Sequence, residues 1–495
     1  MSVTDRHDWV AGIPMESFSG SNASVFTGTF ARDYFDTLIR DPENLPASFI
    51  TGNGGAMLSN RISHFYNLTG PSMTIDTGCS SSAVAIHQGC RNLQAGESDL
   101  SLVGASSVLL NPDMFIAMSN LNVLNAEGRC YSWDHRSNGY GRGEGVATLL
   151  LKRLDDALRD GDHVHAVIRE TALNQDGKTT TISSPSMEAQ QQLIEECYRR
   201  AGLDLAQTAY VEAHMTGTAT GDPIEAEAIA RTFGQRRSSD DPVLVGSVKT
   251  NLGHTEPVSG LAAVIKTAFA LQHACIPPNL NYEKPNPKIP LDEWHLKVPT
   301  LPTQWPQDKS PRASINNFGY GGTNAHIIME RAPTPARQIN RAVEQDESLS
   351  RVFLLSSRDE AATKAMSSQL ASYVRESASS TGNSVNSFLL ADLAHTLAER
   401  RSRFPWSIAV KARSVDELVT RLEDPSYQAT RAIRNPRVGF VFNGQGAQWH
   451  AMGRELISTY PVFASAIEQA DEILRDYGAS WSLHGEFTDA KPNIP

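Results

Sequence analysis

The chain is poor in cysteine, in positive charge and in long apolar runs. Its five cysteines, Cys79, Cys90, Cys130, Cys197 and Cys275, are odd in number, scattered over 495 residues, and show no Cys-x-x-Cys spacing. That pattern disfavours a disulfide framework or a zinc site and suits a reducing compartment. Acidic residues outnumber basic ones by 55 to 44, for a formal net charge of -11, and no Lys/Arg block interrupts the balance. A nucleic-acid partner is therefore not expected. No apolar run approaches the ~18 residues of a membrane span. The first ten residues contain Asp5, Arg6, His7 and Asp8 and do not read as a signal peptide. We expect a cytoplasmic protein without a membrane partner. The hydrophobic share of 40% and charged share of 20% are those of ordinary soluble enzymes, and the length allows more than one domain.

From Met1 to about Glu330 short apolar, β-branched runs alternate with helical patterns, which reads as α/β. Strands are predicted at 100–104, 145–151, 164–169, 210–212, 243–245 and 325–329. Helices are predicted at 80–95, 187–201, 223–233 and 259–273, and Gly96 and Gly202 stand where two of them should stop. Residues 276–311 are dense in proline, so regular structure should be sparse. Trp294, Leu296, Val298, Leu301 and Trp305 give that segment something to bury. Beyond it, 332–350 is polar, helical patterns follow at 361–377 and 388–400, and 438–442 reads as a buried strand opening a new domain.

Three segments carry chemistry: Asp76-Thr77-Gly78-Cys79-Ser80-Ser81-Ser82, Val211-Glu212-Ala213-His214-Met215-Thr216-Gly217-Thr218, and Lys249-Thr250-Asn251-Leu252-Gly253-His254. A helix starting near Ser80 would set unpaired N–H groups and a positive dipole end at the Cys79 sulfur and favour its thiolate. A lone cysteine is by default an inert buried one; the two histidine segments shift the reading to a nucleophile. His214 ends a strand before a loop of small residues, where α/β folds place catalytic groups. Asp222 and Pro223 read as the cap and first residue of a helix, and Glu225 as a first-turn dipole partner. Lys249 either positions a carboxylate or the histidines, or pairs with Glu256. The turn Asn317-Phe318-Gly319-Tyr320-Gly321-Gly322-Thr323-Asn324-Ala325-His326 has no Lys/Ser pair as in a phosphate loop. It suits a backbone N–H pair for an oxyanion and a Phe318 wall beside the thiol, with His326 structural.

Together these segments, with Asn138-Gly139-Tyr140-Gly141-Arg142-Gly143-Glu144-Gly145, resemble the ketosynthase domain of polyketide synthases and, more broadly, the β-ketoacyl synthase family, from about Ala11 to Ala332. Residues 45–77 and 276–306 look most like fungal, highly reducing synthases. The resemblance implies a thiolase-like five-layered αβαβα fold of two halves, residues 1–155 and 156–330. A ketosynthase-to-acyltransferase α/β linker would occupy 331–436, and the opening of an acyltransferase domain 437–495. It implies Cys79, His214 and His254 as catalytic residues, with Lys249, Asn251, Thr216, Thr218, Phe318, Gly319, Gly321 and Gly322 in support. Cys79 would take an acyl group from the phosphopantetheine arm of an acyl carrier protein. The histidines would assist decarboxylation of a malonyl thioester. No metal and no cofactor bound by the chain itself are expected, and a homodimer is.

The sequence departs from the family in four places. Gly78 stands where Ala is usual and Met215 where Gly is usual, the latter adding bulk beside His214. Family members carry a further strand and helix upstream of residue 11. No Gly-x-Ser-x-Gly elbow occurs, so the acyltransferase part lacks its serine. Other readings are a decarboxylase-only variant, which the presence of Cys79 disfavours, a non-catalytic truncated remnant, and, more distantly, a cysteine protease.

Overall fold

The computed structural model describes residues 12–333, 350–380, 386–432, 437–444, 446, 449 and 452–488. The chain divides into two compact units, residues 1–432 and 433–495.

The larger unit is built on two sheets. In the first, β1 (Ser24–Gly28) is central, flanked by β2 (Ser72–Ile75) and β3 (Leu100–Ser107), both parallel to it; β4 (Gly145–Lys152) lies antiparallel outside β3. The second contains β5 (Ala166–Gln175), β6 (Tyr210–Glu212), β7 (Val243–Gly246), β9 (Leu296–Lys297), β11 (Arg312–Phe318) and β12 (Thr323–Arg331). Its order is β5-β12-β11-β6-β7-β9. Two more short strands, β8 (Cys275–Ile276) and β10 (Thr303–Gln304), pair with each other. Between the sheets run α1 (Ser81–Gln94) and α4 (Ser259–Gln272). Met57–Tyr66 covers the outer face of the first sheet, and α2 (Met187–Ala201) and α3 (Gly221–Thr232) cover the second. This is the expected αβαβα arrangement. Central strands buried on both faces explain the near-continuous apolar runs such as Tyr210-Val211 and Val243-Leu244-Val245.

Helix limits follow local chemistry. Ser186 Oγ accepts from Ala189 N–H at 3.2 Å to start α2, and Gly202, at φ 63°, ends it in the left-handed conformation a side chain resists. α3 begins at Gly221, one residue before the expected cap, so Asp222 lies inside its first turn. The proline-dense segment holds only three two-residue strands. It buries Leu296, Val298 and Trp305, but Leu301 is 73% exposed, contrary to expectation, because it projects from a turn with no neighbour over it.

Residues 351–432 form a smaller α/β layer. A three-stranded antiparallel sheet, β13 (Arg351–Ser357), β14 (Trp406–Ala412) and β15 (Thr430–Arg431), packs on helices Glu360–Ser380 and Val415–Glu423 around Phe353, Leu355, Val374 and Val410. Most of the polar stretch 332–350 lies outside the described residues. In the second unit, Arg454–Thr459, Pro461–Asp476 and Leu483–Thr488 are helical. The strand expected at 438–442 is not formed: Phe440, Val441 and Phe442 are 82–90% exposed. A buried strand needs partners on both edges and cover on both faces, and among the described residues no strand pairs with this run.

Candidate active site

Cys79 sits in the tight turn Gly78–Ser80 that joins β2 to α1. Gly78 takes φ 66°, and a Cβ there would stand 2.7 Å from the Tyr320 ring, so glycine is required twice over. Thr77 N–H donates to Ser81 Oγ at 2.9 Å and Gly78 N–H to Asp76 Oδ1 at 3.1 Å, locking the turn. Ser259 Oγ–H, at the start of α4, donates to the Cys79 carbonyl at 3.1 Å and ties the nucleophile to the second half.

The thiol is not a resting thiolate. Burial pushes Cys79 up to about 12 and Glu256 pushes the same way, against Lys249 and the backbone N–H groups of Tyr320 and Cys79. The thiolate expected from the sequence is not favoured here, because desolvation outweighs the groups that lower the pKa. Of those two N–H groups, only that of Tyr320 belongs to the glycine-rich turn. Gly319 N–H closes that turn on Thr323 O at 2.8 Å and Gly322 N–H on Gly319 O at 2.9 Å, while Gly321 faces open space.

His214 follows β6. Glu225 is no mere dipole partner: fully buried, it accepts from His214 N–H and Met215 N–H, both at 2.7 Å, and from Asn316 Nδ2 at 2.9 Å. Asp222 Oδ1 accepts from Gly217 N–H at 3.0 Å and Thr218 N–H at 3.1 Å, so both carboxylates shape the loop that carries the ring. Thr216 Oγ1 lies 3.4 Å from Thr218 Oγ1 within that loop. Met215 has φ 20° and is 1% exposed, its side chain in the apolar cluster with Trp133 and Phe318. Its bulk is thus taken up by the core.

The two rings stand edge to face with centroids 5.5 Å apart, and Phe318 lies 5.8 Å from His214. Asn317 Nδ2 donates to Ser259 Oγ at 2.9 Å and reaches His214 Nδ1 at 3.3 Å. Glu256 N–H donates to His254 Nδ1 at 3.3 Å. An amide N–H and an NH2 can only donate, so each Nδ1 accepts and each ring carries its proton on Nε2. His254 Nε2 is buried without a partner in the structure. Burial, helped by Lys249, drives both imidazoles well below their ordinary value, so both are neutral at pH 7.

Lys249 does not pair with Glu256. Arg142 takes that carboxylate in a fully buried bidentate pair, Nε–Oε1 2.7 Å and Nη2–Oε2 3.0 Å. Among the described residues Lys249 Nζ, which is buried, has no hydrogen-bond partner, and burial lowers its pKa while Glu212 and Glu225 resist. Asn251 is exposed on the short helix Lys249–Leu252, with Thr250 Oγ1 3.4 Å from its Oδ1, and no hydrogen bond joins it to the other site residues. His326 is structural: its Nδ1 lies 2.7 Å from Asn316 Oδ1. Sequence reasoning missed Asn317, Ser259, Tyr320, Glu225 and Arg142 as site-builders. Asn317, Tyr320 and Arg142 stand inside motifs the sequence singles out, and Glu225 reads only as a first-turn residue; Ser259 leaves no trace. Among the described residues no group of three or more His, Cys, Asp or Glu is placed to hold a metal.

A buried thiol at the turn into α1, and two neutral imidazoles standing edge to face, are carried on a thiolase-like fold. The chain belongs to the β-ketoacyl synthase family. The β-ketoacyl synthase N-terminal domain matches residues 9–157, its C-terminal domain 165–283, the ketoacyl-synthetase C-terminal extension 285–400, and an acyl transferase domain 439–485. The highly reducing polyketide synthase pks5 of Leptosphaeria maculans is 55% identical over 97% of this chain, and sor1 of Hypocrea jecorina 52% identical over 97%. The chain spans 19% of the length of each, and so corresponds to a ketosynthase, linker and acyltransferase-opening segment of such synthases. The ketosynthase from module 6 of the bacillaene synthase of Bacillus subtilis 168 superposes with a TM-score of 0.74 at 29% identity, over 98% of this chain and 80% of that one. An oxazolomycin ketosynthase domain of Streptomyces albus JA3453 gives 0.74 at 31% identity, over 86% and 73%.

Proposed function

We propose that this segment carries out decarboxylative condensation on carrier-bound thioesters. The Cys79 thiol attacks an acyl thioester on the phosphopantetheine arm of an acyl carrier protein. The new S–C bond replaces the pantetheine S–C bond, and the thiol proton passes to the departing sulfur. The Tyr320 and Cys79 N–H groups hold the tetrahedral oxyanion. A malonyl thioester then enters; its C–CO2 bond breaks, CO2 leaves, and the electron pair forms an enolate. The Nε2–H groups of His214 and His254 donate to the enolate oxygen, which is more basic than the ground-state carbonyl, so the interaction favours the transition state. The enolate carbon attacks the Cys79 thioester, a C–C bond forms, and the sulfur leaves as thiolate to regain a proton.

The observation that supports this most is the pair of Nδ1-locked imidazoles, which fixes two donors where a hydrolase would need an acceptor. Phe318 walls the ring of His214. Burial, helped by Lys249, keeps both rings neutral, and Thr216, Thr218, Gly319, Gly321 and Gly322 shape the loops. The same reading carries an acyl carrier protein and malonyl and acyl thioesters as partners, a homodimer, and a cytoplasmic setting. The test is intact mass of the full chain after exposure to a short acyl thioester, then to a malonyl-carrier thioester. One acyl adduct, absent in Cys79→Ala and discharged by the malonyl carrier as a β-ketoacyl thioester, is expected. A folded chain that takes no adduct overturns the reading.

A further inference from the structure

His254 belongs to the second half of the domain, but what holds it comes from the first. Glu256, two residues further on, stands at φ 50° and is fully buried. A glutamate in the left-handed region is strained, and such strain persists only where the surrounding groups over-determine it. Those groups belong to the segment Gly141–Gly143. His254 N–H donates to Gly141 O at 2.7 Å, and Gly143 N–H donates to His254 O at 2.8 Å. From between those two bonds the Arg142 side chain takes both oxygens of the Glu256 carboxylate, at 2.7 and 3.0 Å. Neither side chain of the pair is exposed. The Phe115 ring covers the guanidinium at 4.5 Å. Glu256 N–H donates back to His254 Nδ1 at 3.3 Å, which closes a loop of contacts from Arg142 through Glu256 to the imidazole. The rings of Tyr140 and His214 flank His254 edge to face, at 4.9 and 5.5 Å; they set its plane but not its proton.

We propose that Arg142 is a positioning residue for His254: it holds the Glu256 carboxylate, and through it keeps the Glu256 N–H on Nδ1 and the single proton of the imidazole on Nε2. The role rests on the condensation reading, in which that proton meets the enolate oxygen. A buried carboxylate that loses its cation is left uncompensated and must find another donor. The imidazole two residues away is at hand. A carboxylate can only accept, so its contact with Nδ1 demands a proton there. A neutral ring protonated on Nδ1 bares Nε2, and the enolate oxygen then meets a lone pair instead of an N–H. Charge acts in the same direction. Burial, Lys249 and Arg142 all oppose protonation of His254, and without Arg142 that opposition weakens. The bidentate fork fixes the carboxylate in one orientation, which a point charge such as lysine does not.

The test labels the histidines of the full chain with nitrogen-15 and assigns His254 by the signals lost in His254→Gln. Long-range nitrogen–proton spectra tell a protonated ring nitrogen from a bare one. Decarboxylation of malonyl-pantetheine and acylation of Cys79 by a short acyl thioester are measured alongside at pH 8. The parent should show Nδ1 bare and Nε2 protonated. Arg142→Met should move the proton to Nδ1 and slow decarboxylation by about 100-fold, the cost of one lost oxyanion donor, with far less change in acylation. Arg142→Met combined with Glu256→Gln removes the stranded charge and keeps the backbone N–H at position 256. It should return the proton to Nε2 and restore most of the rate. If Arg142→Met does not fold, Arg142→Gln, which keeps one donor beside the carboxylate, should divide the proton between the two nitrogens and give an intermediate rate. A folded Arg142→Met or Arg142→Gln chain in which His254 keeps a bare Nδ1 and the parental rate overturns the proposal. So does a rate loss with the ring signals unchanged, or an equal loss in the double variant, since either makes the pair a structural brace alone. A parent with the expected ring signals that decarboxylates nothing overturns the condensation reading instead, and the ring signals of the variants still decide for or against Arg142.

Discussion

Gly78→Ala separates two costs that meet at the nucleophile's turn. Alanine at φ 66° costs about 1–2 kcal/mol in the left-handed region. Its Cβ would also stand 2.7 and 2.8 Å from Tyr320 Cδ1 and Cε1, where ordinary contact begins at 3.4 Å, so the ring must retreat. Tyr320 is 56% exposed and can do so. It then gives up its edge contact with Phe30, at 5.6 Å between centroids, worth about 0.5–1.5 kcal/mol. The total is about 1.5–3.5 kcal/mol. Tyr320→Ala removes the ring in advance, so Gly78→Ala in that background should cost only the backbone part, leaving a coupling of roughly 1 kcal/mol. Urea unfolding of the four proteins measures it. Strict additivity, or a neutral Gly78→Ala, would refute the reasoning.

Four further outcomes follow from the site. Asn317→Asp demands a proton on His214 Nδ1 and turns Nε2 into an acceptor, so malonyl decarboxylation should fall by about 100-fold or more while Cys79 acylation changes little; equal loss in both steps would contradict the tautomer assignment. Asp222 is held up to about 7 by burial and by Glu225, and its folded pKa lies above its unfolded one. Native stability from this group is therefore full at low pH and lost as pH rises toward 7. Asp222→Asn should gain stability over the parent in urea unfolding as pH rises from about 4 to about 7 and hold that gain above it, by on the order of a few kcal/mol at most, and an offset constant across that range would count against it. Alkylation of Cys79 by iodoacetamide should keep rising with pH with no plateau below pH 10, since burial pushes the thiol up to about 12; a plateau near pH 8 would show an accessible thiolate. Met215→Gly sets relief of about 1 kcal/mol of backbone strain against loss of a buried side chain worth roughly 2–5 kcal/mol, so urea unfolding should show net destabilisation.

The alternating pattern made the α/β fold legible, and the strands at 210–212 and the helix at 187–201 fall where composition puts them. β1 and β2 went unseen because Ser24-Val25-Phe26-Thr27-Gly28 and Ser72-Met73-Thr74-Ile75 are short and mixed; their strand character comes from pairing across a distance of some fifty residues of sequence, not from local preference. The run at 438–442 shows the converse, a locally persuasive strand without neighbours. Cys79, His214 and His254 were legible as motifs. Their protonation was not, because burial and the donors at each Nδ1 arise from residues remote in sequence: Asn317 for His214, and a turn with Glu256 at φ 50° for His254. A carboxylate such as Glu225 in a first helical turn looks the same on the page whether it faces solvent or clamps a catalytic loop.

The join between α1 and α4 has a consequence for how such enzymes change. Leu261 N–H donates to Ser82 Oγ at 3.2 Å, and a Cβ on Gly260 would stand 2.9 Å from both Ala83 N and Ser82 Oγ and 2.7 Å from Asn317 Oδ1. The helix after Cys79 and the helix after His254 thus meet closely at Gly260, with only the short Ser82 and Asn317 side chains at the contact and little room to absorb a mismatch. The halves look like interchangeable modules by topology, yet they are not separable units of inheritance. A chimaera that takes residues 1–155 from one relative and the remainder from another keeps this contact only if the first parent supplies a residue matching Ser82 and the second residues matching Gly260 and Asn317, so recombination within the domain is confined to parents in which the contact is matched.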